Sequence, residues 1–256
     1  MFGLPLRARS PAPRKLSSGE CVQVGGHPVR LKVDGRAKRV SLRLDGAARE
    51  VIAIAPSLRR LPEALAFAHA RIAWIDARLG ALPHGVPFAP GVIIPVYGAP
   101  CRLERAAMRT TGRLVPATPD EPQRLVASGD GPAFSRAVER VLKRDALARL
   151  TALTQEMCDA LALPLPALAL GDAKGRWGSC RSPLRGDAGV IRYSWRLICA
   201  PPNVQRYVAA HECAHLVHPN HAAGFWALNR RLDPAMDPAR AWLKQNGADL
   251  HALGRG

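Results

Sequence analysis

Residues His211-Glu212-Cys213-Ala214-His215, followed by His221, constrain this chain more than any other feature. Residues four apart on an α-helix lie above one another on one face, so His211 and His215 can grip a single ion only if this stretch is helical. Glu212 then sits one position round, beside them. Two imidazoles make a loose grip, and the chain must bring back a third. Pro219 opposes continuation of the helix and pushes His218 out of the α region, while Asn220 tolerates the tight turn that lets His221 fold back. At the other end, Asn203 after Pro201-Pro202 is the expected N-cap, with Val204, Tyr207 and Val208 preceding His211 at helical spacing. By chance alone His-Glu-x-x-His arises in roughly one such chain in a hundred, and the later histidine lowers that about thirtyfold.

Three neutral imidazoles with one open position suit catalytic zinc, whereas harder ions prefer oxygen ligands. A zinc-bound water has a pKa near neutrality, and Glu212 is placed to act as general base. The expected chemistry is metal-assisted hydrolysis, most simply of a peptide bond, with Glu212 returning the proton to the leaving amine. His218 competes with His221 for the third position. The extended zinc-protease motif places its third histidine six residues after the second, which favours His221, and has a glycine where this chain has His218. His218 is expected to be a solvent-exposed helix-end residue.

Further residues form a linked series with this motif: Arg176-Trp177-Gly178-Ser179-Cys180, Trp195-Arg196-Leu197, Ala200-Pro201-Pro202, Asn220-His221 and Phe225-Trp226. On these residues the sequence resembles the YgjP-like metallopeptidase family over most of its length. The resemblance implies zinc ligation by His211, His215 and His221 and a catalytic Glu212. The chain is also similar to the wider group of small zinc proteases with SprT-like and WLM domains, some of whose members act on DNA-bound proteins. Cys213 stands where the family usually has leucine, and residues 183–189 lengthen the turn after the Trp-Gly-Ser-Cys stretch; neither touches a ligand.

Residues 176–197 read as two short strands joined by that loop, with Val190, Ile191 and Tyr193 as β-formers. Such a hairpin beside the metal could align an extended substrate by backbone hydrogen bonding. Arg176 is a candidate to stabilise an oxyanion, against the plainer role of a salt-bridged structural arginine.

The rest of the chain suggests an α+β protein: an antiparallel β-rich N-terminal region and a mostly helical zincin-like domain. Apolar alternation around Val29-Leu31-Val33, Val40-Leu42-Leu44 and Val51-Ile52-Ile54 predicts a sheet, and residues 61–82 one amphipathic helix. A hairpin turning at Gly98 follows. Residues 116–133, rich in Pro, Gly and Asp, are the expected linker or insertion between a 16–115 region and a 134–256 metallopeptidase domain. A long helix is expected over 134–161, with Val138, Val141, Leu142, Leu147 and Leu150 on its apolar side, and shorter ones follow His221.

Six dispersed cysteines without a Cys-x-x-Cys pair read as reduced thiols, Cys213 as a packing residue. Nothing approaches the ~20 apolar residues of a membrane span and the first fifteen residues form no hydrophobic leader, so a cytoplasmic protein with a disordered basic tail is expected. The net charge is +17, and residues 1–60 carry thirteen Lys or Arg against four Asp or Glu. That asymmetry raises an alternative, a nucleic-acid-associated protein binding through its basic N-terminal region, although no base-reading motif accompanies it. A zinc-stabilised interaction protein without activity is a third reading, disfavoured by the intact Glu212. The sequence leaves oligomeric state open.

Overall fold

The computed structural model describes residues 15–46, 48–173, 175–183 and 187–255, so the expected disordered tail lies almost wholly outside the described residues. Two compact units make up the chain, residues 1–82 and 83–256.

The first unit holds β1 (Cys21–Val24), β2 (His27–Val33), β3 (Ser41–Asp45), β4 (Glu50–Ala55), α1 (Leu61–His69) and α2 (Ile72–Gly80). Gly25 and Gly26, with φ of 59° and 84°, form the two-residue turn between β1 and β2, a geometry that needs positive φ at both positions. The strand order is β1-β2-β4-β3. Because β4 returns between β2 and β3, it pairs antiparallel with β3 but parallel with β2, one parallel pair in an otherwise antiparallel sheet. Val29, Leu31, Val51, Ala53 and Ala55 meet Leu61, Ala64, Ala68 and Ile75 in a wholly aliphatic core.

The single helix expected over 61–82 is instead two, interrupted at Ala70-Arg71. A straight helix of that length would run about 33 Å. The sheet beneath it is only about 19 Å across and about 23 Å along its longest strand. The break returns Ile75 and Leu79 to the same core as Leu61 and Ala68.

In the second unit, β5 (Ile93–Val96) and β6 (Ala99–Arg105) form the expected hairpin at Tyr97-Gly98, joined by β7 (Arg113–Val115) and β8 (Arg124–Ala127) in the order β5-β6-β8-β7. Strand β8 thus falls within residues 116–133. Helix α3 (Gly131–Ala160) buries Phe134, Val138, Val141, Leu142, Leu150 and Met157, whereas Leu147, expected on that side, is 42% exposed. Leu147 stands three residues before Leu150, at the edge of a stripe too narrow to include it.

A second sheet, β10-β11-β9, comprises β9 (Ala167–Gly171), β10 (Gly178–Arg181) and β11 (Val190–Ser194), so the hairpin expected over 176–197 forms, with β9 parallel on its far side. Three helices complete the unit: α4 (Pro202–Val217), α5 (Ala223–Leu232) and α6 (Met236–Ala252). Helix α4 is buried nearly all round, with Ala209, Ala210 and Ala214 allowing its neighbours a close approach. No helix among the described residues is long and apolar enough to cross a membrane.

Candidate metal centre

Helix α4 starts at Pro202, with Pro201 rather than Asn203 as its N-cap. Proline suits the first helical position because its fixed φ is already helical and the N–H it lacks would be unpaired there; Asn203 is left in the first turn. The helix ends at Val217 as expected, because His218 before Pro219 adopts φ −119° and ψ 106°. The Ala222 N–H donates to Asn220 Oδ1 at 3.3 Å, closing the turn that carries His221 back.

His211, His215 and His221 come together, with one nitrogen from each within 4.8 Å of the others. The Nε2 atoms of His211 and His221 are 3.1 Å apart. Two nitrogens on one tetrahedral zinc at ~2.0–2.1 Å would be separated by about 3.3 Å, so the spacing fits. His215 Nδ1 lies 3.0 Å from the His218 carbonyl oxygen; as an N–H it donates there and leaves Nε2 free to ligate. His218 is therefore half-buried at the helix end rather than solvent-exposed, its ring against Gly224 and outside the triad. Phe225 packs within 5 Å of all three imidazole rings, and Trp226 against those of His211 and His221.

Burial, reinforced by the neighbouring histidines, pulls His211 down to about 4, and burial also lowers His215. Both are neutral at pH 7, so no proton competes for the nitrogens with which they could hold a metal ion. Glu212 is only 4% exposed and its Oε2 has no hydrogen-bond partner among the described residues. Burial pushes its carboxyl from the ordinary 4.5 up to about 7 in the metal-free protein, with the Arg176 charge acting in the opposite direction. A Cβ on Gly178 would lie 2.3 Å from Glu212 Oε1, so β10 can pass over this carboxylate only because that position is glycine. A buried carboxylate with one oxygen unpartnered among the described residues, beside three convergent imidazoles, is a donor set suited to a divalent cation and to proton transfer next to it.

The elements around the site are pinned by paired polar groups. Ser182 Oγ donates to the His215 carbonyl at 3.0 Å, and Trp177 stacks on His251 of α6 at 4.4 Å between centroids. Arg196 is buried, donates to both carboxylate oxygens of Asp172 and reaches the carbonyls of Leu250 and Leu253. Cys213 is fully buried behind the helix, its thiol toward the Thr154 carbonyl, in keeping with a packing role. All six cysteines are free thiols. Arg176 is exposed at the head of the hairpin and forms no ion pair among the described residues.

One residue escaped the sequence reading. Asn229 on α5 is fully buried; its Nδ2 lies 3.5 Å from His211 Nδ1 while its Oδ1 has no partner. Exchanging the two ends of the amide, which an Asn side chain permits, turns Oδ1 to accept the His211 Nδ1–H and fixes that ring with Nε2 toward the triad. The signal was available: Asn229 follows Phe225 by four residues on the apolar face shared with Leu228 and Leu232.

A profile of the YgjP-like metallopeptidase domain matches residues 38–246. No curated protein and no solved structure matches the chain significantly. With a match that spans most of the sequence and encloses both the triad and Glu212, the chain belongs to the YgjP-like metallopeptidase domain family.

Proposed function

We infer that the protein is a zinc-dependent peptidase, with His211, His215 and His221 holding the ion and Glu212 as general base. The observation that carries this reading is the buried Glu212 carboxylate, with no partner for Oε2, beside three converging imidazoles. When bound, zinc supplies the Lewis acidity that activates water and polarises a scissile carbonyl. Glu212, raised toward neutrality by burial, accepts a proton from the attacking water and returns it to the leaving amine. Asn229 and the His218 carbonyl hold two of the imidazoles in their ligating orientation.

Among the described residues, strand β10 is an edge of its sheet, paired only with β11. Its open side, passing over Glu212 at Gly178, is suited to align an extended peptide or protein substrate as an added strand. Next to it a cavity of about 300 Å³, lined by Arg176, Trp177, Ser179 and Arg192 among others, can take a substrate side chain. Arg176 lines this cavity, and we assign it the stabilisation of the oxyanion; Arg176→Ala is expected to lower kcat while leaving zinc content unchanged. An unaltered kcat in the folded variant would remove that role.

Elemental mass spectrometry of untagged protein tests the reading directly. About one zinc per chain is expected, lost in a His211→Ala, His215→Ala double variant, and peptide-library hydrolysis should fall by about 10²–10⁴ in Glu212→Gln with zinc retained. Absence of zinc after zinc is supplied, or full hydrolysis by Glu212→Gln, would overturn it.

A further inference from the structure

The first unit holds a groove whose chemistry is independent of any reaction at the His211, His215 and His221 cluster. Strand β3 is the other edge of its sheet, and beside it lies a groove of about 540 Å³ between Val40–Leu42 and the helices α1 and α2. Phe67 of α1 and Trp74 of α2 line this groove, both half-buried, and Trp74 packs against the aliphatic core. Each ring carries a guanidinium: Arg71 Cζ is 5.6 Å from the Phe67 centroid, and Arg78 Cζ 5.9 Å from that of Trp74. Arg39 and Arg60 complete the wall. Arg60 is neutralised by Glu63 at 2.6 Å, but Arg39, Arg71 and Arg78 form no ion pair among the described residues.

Two aromatic rings, each with a mobile guanidinium over one face that a base can displace, line a concave, sheet-edge groove suited to a particular ligand chemistry. Flat bases stack on the rings while linked phosphates meet the cations. The volume lies within the ~300–1,000 Å³ of small-ligand sites, room for a nucleotide at a time. A duplex keeps its base faces stacked inside and could use only the charges. An acidic peptide would likewise leave the rings idle. Charge complementarity extends beyond the groove, since residues 1–82 carry fifteen Lys or Arg against six Asp or Glu.

We propose that this groove binds single-stranded nucleic acid, with bases stacking on Trp74 and Phe67 and the backbone paired with Arg39 and Arg71 in the groove and with Arg78 beside Trp74. Fluorescence anisotropy of the full chain with a labelled oligothymidylate, and with a duplex of equal length, over a range of salt tests this. The single strand should bind more tightly than the duplex. Arg39→Glu, Arg71→Glu together should weaken it at least tenfold and flatten the salt slope by about 1.4. Trp74→Leu should weaken single-strand binding while leaving the salt slope unchanged. A control with the same charge change, Arg109→Glu, Arg140→Glu on exposed positions of the second unit, should alter affinity less than twofold. Should Trp74→Leu melt early, the arginine pair decides. No binding at low salt, equal binding of duplex, or an equal effect of the control reversal would each overturn the proposal.

Discussion

Each unit buries a glutamate, and the two are handled in opposite ways. Glu50 in the first unit is 8% exposed, and both its carboxylate oxygens accept hydrogen bonds from Arg30, at 2.7 and 2.9 Å. Glu212 in the second is 4% exposed, and its Oε2 accepts none. The same contrast runs through the second unit itself. Arg196, Gln205 and Thr154 are buried with their hydrogen bonds made, whereas the Oε2 of Glu212 has no partner among the described residues. Since an unpaired buried polar group costs roughly 1–3 kcal/mol, the paired Glu50 helps hold its unit together, whereas the orphaned oxygen of Glu212 costs its unit stability beside the triad.

The largest effect expected from this contrast is on the metal-free protein's stability. Glu212 has its folded-state pKa raised from 4.5 to about 7, so the folded chain holds this proton more tightly than the unfolded one. The associated stability is fully present below about pH 4.5 and lost as pH rises through 7. Glu212→Gln, which cannot ionise, should therefore be more stable than wild type by about 3 kcal/mol above pH 8 and equal to it below pH 4. Denaturant melts of both chelator-treated proteins across pH measure the difference, and added zinc should narrow it by favouring the carboxylate. Parallel curves at all pH values would mean that Glu212 is solvated after all.

The next effect is on metal affinity. Asn229→Leu should weaken zinc binding by about 10–100-fold, read by competition with a chromophoric chelator, because His211 loses the acceptor that orients it. An unchanged affinity would reduce Asn229 to a packing residue. The smallest effect belongs to Glu50→Gln: a lowered unfolding midpoint, opposite in sign to the effect of Glu212→Gln at neutral pH, and small because Arg30 is 45% exposed. A rise instead would erase the distinction between the two glutamates.

The convergence of His211, His215 and His221 was legible because its constraint is local. A period of 3.6 aligns His211 with His215, and Pro219 ends the helix, so six or seven residues of context suffice. The hairpins at Gly98 and at 178–194 were legible for the same reason. What sequence did not convey depends on distances between elements. The break at Ala70-Arg71 follows from the size of the sheet beneath, and the parallel β2–β4 pairing from the order in which strands return. Leu147 falls at helical spacing from buried residues of α3, yet it faces outward. Only the packed neighbours decide such cases.

The partner of His215 is a main-chain oxygen, that of His218, which any amino acid supplies. Tolerance to mutation at this corner should therefore be split unevenly. Side chains at 218 can vary widely without loosening the ion, whereas replacing Pro219, which keeps residue 218 out of the helix, would let α4 run on and carry that oxygen away. Over an evolving lineage the grip on the ion would be inherited through a proline that never touches it.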